Sequence, residues 1–83
     1  MVSEEQQRVA DAAKSLYDRK LKPLLEKSAQ GQIVVIEPYS GDYYVAHKAA
    51  DAMQTAAAAH PNRRMHLIRI GQPAVYEIGT VLL

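Results

Sequence analysis

Cysteine is absent from this chain of 83 residues, and so are tryptophan and phenylalanine. The first absence excludes disulfides and thiolate metal sites and fits a reducing compartment. A chain this short buries only about 60% of the surface it exposes when unfolded. Without disulfides, such chains commonly gain stability from a metal or a second subunit. An excess of one charge is also missing: the net charge is +1, which argues against bulk DNA or an anionic membrane surface as partner. No apolar run approaches the roughly 20 residues of a membrane span. The start, Met1-Val2-Ser3-Glu4-Glu5-Gln6-Gln7, is acidic and polar, unlike a signal peptide. One domain in the cytoplasm, off the membrane, is the expectation.

What is present reads as alternating helix and hairpin. Ser3 with Gln6 has the capping-box spacing, and Glu4 and Glu5 suit the positive end of a helix. Val9, Ala13, Leu16 and Tyr17 then recur at helical spacing, continued by Leu21, Leu24 and Leu25. Pro23 interrupts the run, so a kink or break is expected near residues 19–22, with Leu24, Leu25 and Glu26 in a last short turn. Gly31 closes the arm.

Ile33-Val34-Val35-Ile36 is apolar on both faces, as in an interior strand. Pro38-Tyr39-Ser40-Gly41-Asp42 is turn chemistry, and Tyr43 to Ala46 completes a hairpin. The alanine-rich stretch Ala49–Ala59 is a helix, stopped by His60-Pro61-Asn62. Met65–Ile70 and Ala74–Thr80 form a second hairpin about Gly71-Gln72-Pro73. The expected fold class is therefore α+β, in the order α-β-β-α-β-β. A four-stranded antiparallel sheet ordered 2-1-3-4 carries a long kinked N-terminal helix and a short Ala-rich one. The arm spans 1–31, the core 32–80, and an apolar tail 81–83.

Strands one and three are apolar on both sides, and one long and one short helix do not obviously cover both. In the plainer account the N-terminal helix folds over the second face and the tail packs at its edge; otherwise an uncovered apolar face marks an interface. Ile68, Ile70, Val81, Leu82 and Leu83 are the expected contact residues, and a homodimer the simplest assembly. On that expectation, Ile68→Glu blocks assembly without unfolding a single domain.

For metal or acid–base chemistry the constellation is Glu37, Asp42, His47 and Asp51. The first two flank a turn, and the last two are spaced i, i+4 on one helix face. The plainer account makes these solvated turn and helix-start residues, with Asp51 offsetting the charge at His47 and Lys48. His60 reads as a helix stop and His66 as a strand histidine bonded to a neighbour. No phosphate loop and no nucleophile elbow occurs. No cofactor and no enzymatic activity are expected. For nucleic acid, Lys20 and Lys22 with their basic neighbours form one group, and Arg63, Arg64 and Arg69 a second. Tyr39, Tyr43 and Tyr44 are rings that could stack on bases. Asp11, Asp18 and Glu26 interleave with the first group, which favours a solvated charged face instead.

The segment Ile36-Glu37-Pro38-Tyr39-Ser40-Gly41-Asp42-Tyr43-Tyr44-Val45, with Arg69-Ile70-Gly71 and Ala74-Val75, resembles the signature of a family of short uncharacterised bacterial proteins. Those carry an I-E-P-x-S-G-D-Y-[FY] hairpin, then a helix, then an R-[IV]-G hairpin. The resemblance implies the same fold over nearly the whole chain and brings no activity with it. Members usually have Thr or Ser where Lys48 stands, so the second helix here lacks that cap. The expected function is a non-catalytic protein-interaction module, antitoxin-like or accessory to a co-expressed partner. A nucleic-acid-binding domain and a small metal-dependent enzyme are the alternatives.

Overall fold

The structure, a computed structural model, describes residues 3–71 and 77–83. Helix α1 (Glu4–Leu16) starts at the capping box: the Gln6 N–H donates to the Ser3 hydroxyl, and the Ser3 N–H to the Gln6 side chain. No break follows. A single π-helical turn, Tyr17–Leu21, leads directly into α2 (Lys22–Ser28), which is longer than the expected last turn.

Two physical reasons converge on that π turn. In an unbroken α-helix the Pro23 ring would press on the carbonyl four residues earlier. In the π turn the Lys22 N–H bonds instead to the Tyr17 carbonyl, five residues back. The second reason is the buried stripe. Val9, Ala13, Tyr17, Leu21, Leu25 and Ala29 are all buried and all four apart. With 3.6 residues per turn, each step of four overshoots by about 40°, so the stripe would wind away from the sheet. The wider turn at its middle brings it back.

Strands β1 (Ile33–Glu37), β2 (Asp42–Ala46), β3 (Arg64–Arg69) and β4 (Glu77–Leu82) form one antiparallel sheet in the order β2-β1-β3-β4, as expected. Helix α3 (Ala49–Ala59) lies between β2 and β3 in sequence. Lys48 stands at its N-cap with no side-chain cap bond, and His60 ends it, its N–H bonded to the Ala56 carbonyl. Residues 72–76, including Ala74 and Val75, lie outside the described residues. Val81 and Leu82 belong to β4 and do not form a tail.

Both faces of the sheet are covered within the chain. On one, Val34, Ile36, Ile68 and Ile70 pack under Ala13, Tyr17, Leu21, Leu25 and Ala29 of the arm. On the other, Ile33, Val35, Met65 and Leu67 pack under Ala52 and Ala56 of α3, whose small side chains let the helix lie close. Each large aliphatic side chain so buried contributes about 1.5–3 kcal/mol. The expected leftover apolar face is thus filled by the arm. Ile68 and Ile70 are 6% and 0% exposed, so neither is available to a partner.

Tyr17 fastens the arm to the far end of β3. Its hydroxyl donates to the Glu26 carboxylate (3.1 Å) and accepts from the Gly71 N–H (3.4 Å). Burial, the Glu26 hydrogen bond and the Glu26 and Asp18 charges push its pKa up to about 12, against the lowering effect of the Gly71 N–H. Beside it, the Gln30 amide donates to the Gly71 carbonyl. Gly71 has φ 82°, a left-handed conformation that explains glycine at this turn.

Candidate functional site

The most organised group of polar side chains lies at the β1–β2 turn. Strand alternation puts Glu37 on the α3 side of the sheet, with Ile33 and Val35. Its side chain is fully buried. The carboxylate accepts the Ser40 N–H at 2.6 Å, the Tyr39 N–H at 3.3 Å and the Arg63 guanidinium at 3.4 Å. Burial alone would raise its pKa. The hydrogen bonds from Ser40 and Tyr39 and the Arg63 charge outweigh that and hold it below the ordinary glutamate range. Glu37 is therefore an ionised, buried carboxylate.

The remainder of the turn is built around it. Gly41, at φ 81°, donates its N–H to the Glu37 carbonyl. The Ser40 hydroxyl accepts from the Asp42 N–H and donates to the Glu37 carbonyl. Asp42 bonds the His60 Nε2 at 2.8 Å, tying β2 to the end of α3. The His60 ring also meets Tyr44 edge-on, with centroids 6.3 Å apart. Burial, with the Asp42 and Glu37 charges, raises the Tyr44 pKa. Tyr39 projects from the turn at 63% exposure, and Tyr43 stands 37% exposed on β2, an edge strand.

The four expected metal or acid–base residues do not assemble. Glu37 and Asp42 flank the turn, whereas His47 and Asp51 are exposed beyond the other end of β2. Five residues of extended chain separate Asp42 from His47, about 16 Å. Asp42 takes His60 as its partner, a pairing 18 residues apart in sequence that spacing rules do not reveal. Among the described residues no group of three His, Asp or Glu side chains is placed to hold a metal ion. His66 is buried and its Nδ1 bonds the Thr80 hydroxyl at 2.9 Å.

The two basic groups are also apart, save for Arg69, whose guanidinium donates to the Gly31 carbonyl at the end of the arm. Lys20 and Lys22 are exposed on and beside the π turn, whose Tyr17 reaches Gly71 past the end of β3. Arg63 and Arg64 lie at the start of β3, roughly 20 Å away along the strand. Arg63 is already engaged by Glu37, and Arg64 is half-buried opposite Leu82. Of the remaining expected contact residues, Val81 and Leu83 are half-buried against the α3 cluster, while Leu82 is 62% exposed. Among the described residues no helix is long and apolar enough to cross a membrane.

No family model, curated protein or solved structure matches the chain.

Proposed function

We propose that the chain is a non-catalytic protein-interaction module whose contact element is the β1–β2 hairpin. One observation carries this reading: a fully buried, ionised Glu37 fixes a turn whose own outward side chain, Tyr39, is exposed. A plain two-residue turn joins antiparallel strands with no buried charge. Placing a carboxylate out of water at a surface turn departs from that simplest solution, and such departures concentrate at functional positions. Loops held on a rigid scaffold commonly carry recognition. Tyrosine is among the residues that dominate interface energetics. Because the turn is set before binding, little ordering remains to oppose association.

Tyr43, on the open edge of β2, extends the same surface. The Ser40 hydroxyl is engaged within the turn and the His60 Nε2 by Asp42, which supports a structural use of these groups over a catalytic one. An accessory or antitoxin-like role beside a co-expressed partner is the concrete form of the proposal.

Capture of the tagged chain from its native organism, with and without nuclease, tests it. One protein recovered near equal stoichiometry in both samples supports the module. Recovery of nucleic-acid-associated proteins that disappear on nuclease treatment overturns it in favour of a nucleic-acid-binding domain.

A further inference from the structure

We draw no further inference here: the strongest candidate, the open edge of β4, where Ile78 and Leu82 stand exposed on either side of Thr80, carries nothing because nothing in the structure shows what covers it.

Discussion

The Ser40 N–H points at the Glu37 carboxylate from 2.6 Å, three residues along the chain. This is the logic of a helix N-cap transferred to a hairpin: a side-chain oxygen satisfies N–H groups that the turn leaves without strand partners. With the Tyr39 N–H and Arg63 also bonded to that carboxylate, the shape of the turn depends on one buried charge.

Replacing Glu37 by Gln is therefore expected to cost roughly 2 kcal/mol at neutral pH, since hydrogen bonds to a charged group weaken and one acceptor is lost. The effect has a definite pH dependence. The folded state holds the Glu37 pKa below its ordinary value of 4.5. The unfolded chain thus binds more protons in the window from about 4.5 downward, and this part of the stability is lost as pH falls through the folded value. Urea melts of the two proteins should differ by a constant amount above about pH 5.5 and converge on acidification. A gap that stays constant through the acid range would exclude an ionised Glu37.

Ile68→Glu is expected to unfold the chain and not merely to block an assembly. The side chain lies beneath the arm, and a buried carboxylate without a partner costs several kcal/mol. That is comparable with the whole stability of a small domain, about 5 kcal/mol at the low end. Circular dichroism should show loss of both helix and sheet signal. A folded variant with altered oligomeric mass would restore the uncovered-face account.

This coverage is where sequence reading reached its limit. The capping box at Ser3 and Gln6, the hairpin about Gly41 and the uncapped start of α3 depend on residues close in sequence, and all are found as expected. Whether the arm reaches Val34, Ile36, Ile68 and Ile70 depends on its length and direction after Pro23. A proline read as a kink or break leaves both open. One signal was available: Val9, Ala13, Tyr17, Leu21, Leu25 and Ala29 keep a period of four, which an unbroken α-helix cannot keep on one face. The site was less legible. Glu37 and Asp42 stand out chemically in the sequence, but their partners Arg63 and His60 are brought to them by the fold, from the end of α3 and beyond it.

The π turn gives a prediction in two parts. Deleting exposed Lys20 removes the extra residue, so that Leu21, Leu25 and Ala29 fall at α-helical spacing behind Tyr17. Pro23 then sits inside an ordinary α-helix, and the deletion should cost roughly 3 kcal/mol. Combining it with Pro23→Ala should recover most of that loss in thermal or urea melts. A double variant no more stable than the deletion alone would show that the buried stripe does not set the turn.

Tyr17→Phe is expected to cost about 1 kcal/mol at neutral pH through its lost hydrogen bonds. In alkali the order is expected to change. The folded state keeps the phenol protonated to about 12, whereas the free group ionises at 10.0. The folded chain thus holds more protons between these values, and stability present below 10 falls as pH rises through the window. The Phe variant lacks that loss, so the difference between the two proteins should narrow as pH rises past 10.0 and reverse before about 12. Phenolate absorbance of the folded wild type should show a late step from Tyr17, well above 10, that the folded Phe variant lacks.

The hairpin proposal rests most directly on Tyr39, which is exposed and whose side chain makes no hydrogen bond among the described residues. The decisive measurement is a paired capture from nuclease-treated extract with the wild-type chain and Tyr39→Ala, both first shown to melt alike. A central interface tyrosine is worth about 2 kcal/mol or more, near a thirtyfold change in affinity. The account predicts that the stoichiometric partner of the wild type is lost or strongly depleted with Tyr39→Ala. Equal recovery of that partner by both proteins would contradict it.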